Sequence, residues 1–354
     1  MRHAHTSLAA RRVSGARVRT GIGLILSVVL AGCSASPRVL LFEGESMGST
    51  WAVRCVDHES SRADIRAAVE QRLALVDRQM STWKSDSDLS RFNAAAAGTW
   101  HRWPPELFKV VEAALKLAAD TDGAYDPTVG PLVDLWGFGA AGMRREPPDA
   151  MSVEAMRART GWQRVQLDPA QQRALQSGGT HLDLSSIAPG FALDLIGEYL
   201  ESRGITNYLV EVGGELRGRG SKPDGSDWQV AIQHPVDNDS ADGSITPEHV
   251  IGLRNASLGS SGDYRHFFED QGRRYAHRID PRTGYPLDNG VASVTALSEQ
   301  GIDADPMATA LSVLGAEAGI DFARRRNIAA LFIVRRGDGF EERMTPAFAA
   351  LLAR

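Results

Sequence analysis

Residues 183–190 read DLSSIAPG, and at this point the sequence changes from a polar stretch to an amphipathic one. Apolar spacing predicts a helix over residues 191–203, and an apolar run predicts a strand over residues 207–213. This turn, helix and strand form the unit around which we arrange the rest of the chain.

Outward from this unit, the apolar pattern predicts further strands and helices. The predicted strands cover residues 40–56, 228–233, 249–253, 291–297 and 329–334, and the predicted helices cover residues 61–80, 105–121 and 306–326. Residues 144–178 are polar and contain proline, which indicates an insertion before the next strand. Strands and helices alternate without a regular βαβ period. We therefore predict an α+β fold in one large domain over residues 40–354, with mixed sheets and helices.

Residues 1–32 have the pattern of an export signal, with several arginines before an apolar run. The run is too short to cross a bilayer, which takes about 20 apolar residues. It ends in Leu-Ala-Gly before Cys33, as in bacterial lipoprotein signals whose cysteine carries diacylglycerol and palmitate. We predict a signal peptide over residues 1–32, a lipidated Cys33 and a linker to residue 39. An ordinary secretory signal with a chance cysteine is the alternative.

This N-terminus predicts a protein of the cell envelope that is anchored by lipid and faces the periplasm, at the inner or the outer membrane. Cys55 is the one other cysteine of the chain, so no intramolecular disulfide is expected in the mature protein. The net charge is −5 with acids and bases interspersed, and no basic stripe indicates a nucleic-acid partner.

Three loop clusters combine glycine with acids, hydroxyls or aromatic residues. Residues 122–139 are either a ligand-binding loop or a tight connection that Asp126 caps, with aromatic side chains in the core. Residues 183–190 either present backbone N–H groups to a phosphate or are capped by a serine. The glycine pair within residues 210–216 is a hairpin turn or a place where a cofactor meets backbone.

A fourth cluster covers residues 260–286 and continues at residues 303–309. Asp305 and Thr309 lie one helical turn apart, and a carboxylate with a hydroxyl suits Mg²⁺. Asp305 as the N-cap of a helix with proline at its first position is the alternative. His277 is either a structural histidine or a base. No histidine and cysteine spacing predicts a zinc site, and no hydrolase elbow, Walker loop or dinucleotide fingerprint is present.

In this order, the clusters resemble the bacterial FAD:protein FMN transferases, the ApbE-type family. The resemblance runs from Met47 to the C-terminus. It rests on eight matching pieces: residues 47–50, 80–93, 126–139, 183–186, 212–214, 261–265, 277–284, and Asp305 with Thr309. Each piece is modest alone, but their order over most of the mature chain is specific. The resemblance implies an ApbE/T-fold-like α+β domain that binds FAD in a central cleft.

The resemblance also implies roles for individual residues. The implied flavin-binding residues are Met47, Trp83, Ala124, Tyr125, Asp126, Asp183, Pro189 and Ile279. The implied Mg²⁺ ligands are Ser186, Asp305 and Thr309, and the implied catalytic residues are His277 and Asp305. Two positions depart from the family: Pro189 replaces the usual lysine, and Ala308 stands where some members have an acid. These departures put the affinities for FAD and for metal in doubt.

The implied reaction is Mg²⁺-dependent transfer of FMN from FAD to a threonine or serine of another protein, with release of AMP. A histidine with the ordinary pKa near 6.5 would suit His277 as the base. The implied targets are flavoprotein subunits of membrane redox complexes. Two alternatives remain open: a Mg²⁺-dependent FAD pyrophosphatase that yields FMN and AMP, and an FAD-binding lipoprotein without catalysis.

Overall fold

A computed structural model describes residues 38–56, 62–235, 247–264 and 266–353. The predicted signal peptide and Cys33 lie outside these residues. Within them, no helix combines the length and the apolar character that a membrane crossing requires.

The strands account for most of the regular structure around the site. They are β1 Val39–Ser46, β2 Ser49–Val56, β3 Thr99–Arg102, β4 Gln166–Asp168, β5 Arg173–Gln176, β6 Tyr208–Val212, β7 Glu215–Arg219, β8 Trp228–Gln233, β9 Pro247–Leu253, β10 Ala256–Gly262, β11 Phe267–Asp270, β12 Arg273–Ala276, β13 Ile279–Asp280, β14 Tyr285–Pro286, β15 Val291–Ser298, β16 Ala329–Arg336 and β17 Gly339–Met344.

The helices alternate with these strands along the chain. They are α1 Arg62–Met80, α2 Asp88–Asn93, α3 Pro105–Asp120, α4 Gly130–Leu135, α5 Ala150–Arg157, α6 Ala188–Ser202, α7 Gly301–Leu314, α8 Ala316–Arg325 and α9 Pro346–Leu352, with a 3₁₀ turn at Trp162–Arg164.

The main sheet is antiparallel and has the strand order β1-β2-β6-β7-β10-β15-β16-β17. Side chains of a strand alternate between its two faces. On β6, Val210 packs in the large core with α1, α3 and α6, whereas Leu209 packs in a second core beneath the β8–β9 hairpin. The antiparallel sheet with helices packed against it confirms the α+β prediction.

Two of the predicted elements have different boundaries in the structure. The predicted strand over residues 40–56 is a hairpin, because Met47 and Gly48 take positive φ values of 55° and 73° and reverse the chain. The polar segment 144–178 is more than an insertion. It contains α5, the 3₁₀ turn and the strands β4 and β5. In a separate sheet, β5 pairs with β3 on one side and with β4 on the other.

The helix predicted over residues 306–326 was wrong at its start and in its continuity. It begins at Gly301, because the Asp194 carboxylate accepts hydrogen bonds from the Gly301 and Ile302 N–H groups at 2.8 and 2.9 Å. Gly315 has a φ of 80° and separates α7 from α8. Asp305 therefore lies within α7, and the alternative that made it an N-cap is excluded.

Candidate active site

A cavity of about 1800 Å³ lies where the N-terminus of α6 and the first half of α7 meet the β6–β7 turn. The connection from β12 to β13 completes its wall. Eight residues singled out in the sequence line it: Trp83, Asp183, Ser186, Pro189, His277, Ile279, Asp305 and Thr309. Their sequence positions span more than 200 residues, so the fold brings them together.

Asp305 is the central acid of this cavity. Its side chain is buried, and its Oδ2 accepts a hydrogen bond from the Gly190 N–H at 2.9 Å. Burial raises the pKa of the Asp305 carboxyl to about 7, since desolvation disfavours the charged form. A buried carboxylate with one backbone donor keeps lone pairs available for a cation.

Close backbone packing fixes the position of Asp305. A Cβ on Gly190 would lie 2.7 Å from the Asp305 Cβ, and a Cβ on Gly259 would lie 2.6 Å from the Asp305 Cα. Both distances are shorter than real Cβ contacts, so only glycine fits at these positions of α6 and β10. The two glycines thus hold α7 against its neighbours.

Thr309 and Ser186 supply hydroxyl groups to the same cavity. Thr309 lies one turn after Asp305 on α7, and both residues line the cavity. The Ser186 hydroxyl donates a hydrogen bond to the Tyr125 hydroxyl at 3.3 Å. A carboxylate with two hydroxyl oxygens is a hard donor set, so these residues fit Mg²⁺ that keeps some water or phosphate ligands.

His277 is half-buried in the cavity wall, and its Nδ1 lies 3.2 Å from the His266 carbonyl oxygen. An Nδ1–H donated to that carbonyl leaves Nε2 with a lone pair. The Phe138 ring packs edge-on against the imidazole with centroids 6.4 Å apart. Burial, then Arg278 and His266, lower the pKa of His277 to about 4. The expected ordinary pKa near 6.5 is therefore wrong for the unliganded protein, and the imidazole is neutral at pH 7.

Arg278 is a cavity residue that the sequence analysis did not single out. Its guanidinium is buried, and its Nε and Nη1 have no hydrogen-bond partner. Its Nη2 donates to the Val291 carbonyl at 2.6 Å and lies 3.5 Å from the Asp263 carboxylate. Desolvation lowers the pKa of Arg278 to about 10, and the side chain is still charged at pH 7. In the sequence, the one sign that Arg278 belongs to the site is its position directly after His277, the candidate base.

The N-terminus of α6 differs from both sequence interpretations. The Leu184 carbonyl accepts from the N–H groups of Ile187 and Ala188 at 3.1 and 2.9 Å, and Gly190 donates to Asp305. These N–H groups are therefore occupied and do not face a phosphate. No serine side chain caps the helix, whose N-cap is Ile187. The serine-cap interpretation is therefore wrong, and the phosphate-cradle interpretation is wrong for these three N–H groups.

Asp183 and the glycine pair complete this side of the wall. The Asp183 Oδ1 accepts from the Ser185 N–H at 2.8 Å, which fixes the turn before α6. Gly213 and Gly214 form the two-residue turn between β6 and β7, with φ values of 66° and 99°, and also line the cavity. The hairpin-turn interpretation is therefore confirmed, and the contact between a cofactor and this backbone stays a prediction.

Aromatic side chains provide surfaces for a planar ring. Trp83 is 70% exposed at the cavity, an unusual state for a tryptophan. On another wall, Phe138 and Phe268 stack with centroids 5.8 Å apart and an interplanar angle of 26°. Such faces can stack on an isoalloxazine ring.

Four of the residues that the resemblance implied as flavin contacts are not among the residues that line the cavity. Ala124, Tyr125 and Asp126 are buried, and Met47 lies in the β1–β2 turn against the large core. The Asp126 Oδ1 accepts from the Thr128 N–H at 2.8 Å, as the sequence alternative of a capped connection proposed. Tyr125 reaches the site through its hydrogen bond with Ser186.

Comparisons with known proteins agree with this site. The ApbE family model matches residues 47–332. The chain is 38% identical to the FAD:protein FMN transferase of Haemophilus influenzae over 337 residues, which cover 93% of this chain and 96% of the relative. It is 34% identical to the FAD:protein FMN transferase of Escherichia coli K12 over 343 residues, covering 93% and 96% of the two chains.

Solved structures show the same fold. The apo form of the Pseudomonas stutzeri flavinyl transferase ApbE superimposes with a TM-score of 0.82 at 40% identity, covering 90% of this chain and 98% of that one. The flavin transferase ApbE from Vibrio cholerae gives a TM-score of 0.81 at 35% identity, covering 89% and 100%. The chain belongs to the ApbE family.

Proposed function

We propose that this protein transfers FMN from FAD to a threonine or serine hydroxyl of another protein and releases AMP. The observation that carries this proposal is that a buried acid, Asp305, and a neutral histidine, His277, line one cavity with exposed aromatic surface. Relatives of matching length are named FAD:protein FMN transferase, which supports the same reaction.

In the proposed step, the acceptor hydroxyl oxygen forms a bond to the FAD phosphorus nearer riboflavin, and the bond from that phosphorus to the bridging oxygen breaks. AMP leaves with the bridging oxygen. The Nε2 of His277 takes the hydroxyl proton, since its lone pair is free when Nδ1–H faces the His266 carbonyl. The Phe138 ring and that carbonyl hold the imidazole in place.

Asp305, Thr309 and Ser186 are the residues that would hold Mg²⁺. When bound, Mg²⁺ would neutralise charge on the diphosphate and on the departing AMP. The chain positions these ligands through the α6–α7 contact, in which the Gly190 N–H orients the Asp305 carboxylate.

The two departures from the family pattern have different surroundings. Pro189 lines the cavity, so a lysine there would reach its interior. Ala308 is fully buried in the core formed by α7, α8, β15 and β16. A carboxylate at position 308 would be buried among apolar side chains, so this core fits a small apolar residue better than an acid.

A Mg²⁺-dependent FAD pyrophosphatase is the second candidate, with water in place of the acceptor hydroxyl. The cavity volume of about 1800 Å³ exceeds the usual range of small-ligand pockets, roughly 300–1000 Å³. Room beside the flavin favours entry of an acceptor segment, and the transferase is therefore the first candidate. An FAD-binding protein without catalysis would leave the His277 geometry unexplained.

The test is incubation of the protein with FAD, Mg²⁺ and a flavoprotein acceptor domain from a membrane redox complex. We expect flavin fluorescence that stays with the acceptor on a denaturing gel, with one AMP released for each flavin attached. AMP release without acceptor labelling, across a panel of acceptor domains, would instead establish the pyrophosphatase. FAD retention with neither product would establish a binding protein.

We also propose that Cys33 anchors the protein to a membrane of the cell envelope and that the catalytic domain faces the periplasm. The sequence pattern before Cys33 supports this proposal. In the native host, a Cys33→Ser variant is expected to move from the membrane fraction to the soluble fraction. Retention of that variant in the membrane, after a high-salt wash, would contradict lipid anchoring.

A further inference from the structure

A cluster of two histidines and two glutamates lies outside the lining of the flavin cavity, next to the β8 residues Ile232 and Gln233 that do line it. His234 follows β8, Glu248 and His249 begin β9, and Glu342 lies on β17. The Nε2 of His249 lies 2.9 and 3.0 Å from the two Glu342 carboxylate oxygens. His234 contacts Glu248 through Nδ1. Possible ligand atoms of Glu248, His249 and Glu342 all lie within 4.8 Å of one another.

A break in strand pairing brings these side chains together. Ile232 pairs with His249, but the next residue, Gln233, pairs with Pro247. Glu248 is therefore the extra residue of a β-bulge, and a bulge redirects a side chain that would otherwise point to the opposite face. Glu248 and His249 consequently both approach Glu342, although adjacent residues of a regular strand face opposite sides.

The main sheet supplies the remaining ligand. Glu342 pairs in register with Ile333 of β16, whose side chain lies in the core beneath the β8–β9 hairpin. Glu342 thus projects from the sheet toward the hairpin. The Phe340 ring packs edge-on against the His234 ring with centroids 5.2 Å apart. The cluster is half-buried and joins the hairpin to β17, the edge strand of the sheet.

The two carboxylates of the cluster carry like charges, which one bound cation would balance. The carboxylate ligand atoms of Glu248 and Glu342 lie within 4.8 Å of each other. Two neighbouring carboxylates repel each other unless a proton or a cation lies between them. The imidazole nitrogens of His234 and His249 contact these carboxylates and can bind the same cation.

We propose that His234, Glu248, His249 and Glu342 form a second metal site that binds a divalent transition metal of the Zn²⁺ class. Imidazole nitrogens suit Zn²⁺ and its neighbours, whereas Mg²⁺ prefers oxygen ligands and waters. Two imidazoles and two carboxylates can provide the four ligands of a tetrahedral structural site. The metal would clamp the β8–β9 hairpin to the edge of the main sheet.

The inference does not depend on the proposed function, because none of the four residues lines the flavin cavity. The first measurement is metal content by mass spectrometry. The full chain, without an affinity tag, is stripped with a chelator, incubated with Zn²⁺ in excess Mg²⁺ and passed over a desalting column. We expect about one retained Zn²⁺ per chain, as for a structural site.

The variants His249→Gln and Glu342→Gln keep side-chain size while removing a ligand. Each is expected to weaken Zn²⁺ binding by about 100-fold or more, at the upper end of what loss of a supporting residue costs. His101→Gln, at a half-buried histidine on β3, is the matched control, and Asp305→Asn removes the flavin-site carboxylate. Both controls are expected to retain zinc as wild type does.

Co²⁺ provides a second readout that does not depend on variants. Bound in place of Zn²⁺, it should give visible absorption typical of a four-coordinate site with nitrogen ligands, and Zn²⁺ should abolish that absorption. Far-ultraviolet circular dichroism and thermal unfolding serve as the folding control for every variant. Equal zinc retention by wild type and both cluster variants, or zinc loss confined to Asp305→Asn, would overturn the proposal.

Discussion

The Asp305 carboxylate accepts a hydrogen bond from the Gly190 N–H at 2.9 Å, and this bond joins the first turn of α6 to α7. A matching contact runs in the other direction: the Asp194 carboxylate of α6 accepts hydrogen bonds from the first N–H groups of α7. Each helix therefore supplies a carboxylate that the backbone of the other helix holds. The two contacts set the position of the proposed metal ligands before any ligand binds.

Replacement of Asp305 by alanine should abolish most of the FMN transfer. The variant loses the carboxylate of the proposed Mg²⁺ site, so we expect activity to fall by about 1000-fold at saturating Mg²⁺. Steady-state labelling of the acceptor measures the effect. Asp303→Ala, at an exposed acid on the same helix, is the matched control and should retain activity. Wild-type activity in Asp305→Ala would remove the metal-site assignment.

Mg²⁺ binding should depend on pH through Asp305. The folded pKa of about 7 lies above the ordinary carboxyl value, so the native state holds a proton that Mg²⁺ must displace. Below pH 7 we expect Mg²⁺ affinity to fall by up to about tenfold for each pH unit. Calorimetric titration at pH 6 and pH 8 measures this change, and equal affinities would contradict it.

The same pKa predicts how metal-free stability changes with pH. Because the native pKa is raised, stability from this group is fully present below the unfolded pKa near 4 and is lost as pH rises through 7. The variant Asp305→Asn has no titrating group at position 305. Its Tm in chelator should therefore exceed that of wild type at pH 8 by more than at pH 5, and a pH-independent difference would exclude this explanation.

His277→Gln tests the proposed base. Glutamine keeps a polar side chain but cannot take the hydroxyl proton, and we expect a loss of about 100-fold, less than for Asp305→Ala. FAD affinity should change little. Since the pKa of His277 is lowered to about 4, the imidazole stays neutral from pH 6 to 9. Activity in saturating Mg²⁺ should show no inflection near pH 6.5, and such an inflection, lost in His277→Gln, would contradict the lowered pKa.

Gly190→Ala should destabilise the α6–α7 contact. The added Cβ would lie 2.7 Å from the Asp305 Cβ, and the carbonyl carbon of Gly301 is as close. The backbone atoms cannot yield as a flexible side chain can, so we expect a loss of about 1–3 kcal/mol in the free energy of unfolding. Denaturant unfolding measures it. Gly204→Ala, at a site with open space but positive φ, separates steric overlap from backbone strain.

Pro189→Lys tests the departure at the N-terminus of α6. A lysine at this cavity position can place its ammonium near the FAD diphosphate, and we expect tighter FAD binding by about 3-fold to 10-fold. Loss of the proline should lower the free energy of unfolding by about 0.4–1 kcal/mol. Pro189→Gln, which lacks the charge, is the control. Equal FAD affinity in the lysine and glutamine variants would show that charge at this position does not matter.

Local pattern predicted much of the fold. Alternation and apolar spacing located β6, β8, β16, α1 and α3 within one or two residues, because each element buries a face that its own sequence marks. The α6–α7 region was harder. Pro306 signals a helix start, yet Asp194, more than 100 residues away, caps the helix five residues earlier. No local signal reveals a cap from a distant residue.

Residue types and their order identified the family and most of the cavity lining, including Asp305, Thr309 and His277. Burial decided the chemical state of those residues. Desolvation moved the pKa of Asp305 up to about 7 and was the largest cause that lowered the pKa of His277 to about 4, and desolvation depends on how the whole chain folds around each side chain. The sequence places Arg278 next to His277, but the burial of its guanidinium in the cavity wall follows only from the tertiary structure.

The sequence by itself determined the family, the α+β class and the acids and hydroxyls that suit a diphosphate and Mg²⁺, because these properties follow from residue type and order. Tertiary structure decided which residues meet. The histidines of the chain lack zinc spacing, yet a bulge at Glu248 and the register of β17 bring His234 and His249 to two glutamates. Side chains converge when backbones pair, and pairing between distant strands depends on the packing of the whole sheet rather than on local sequence.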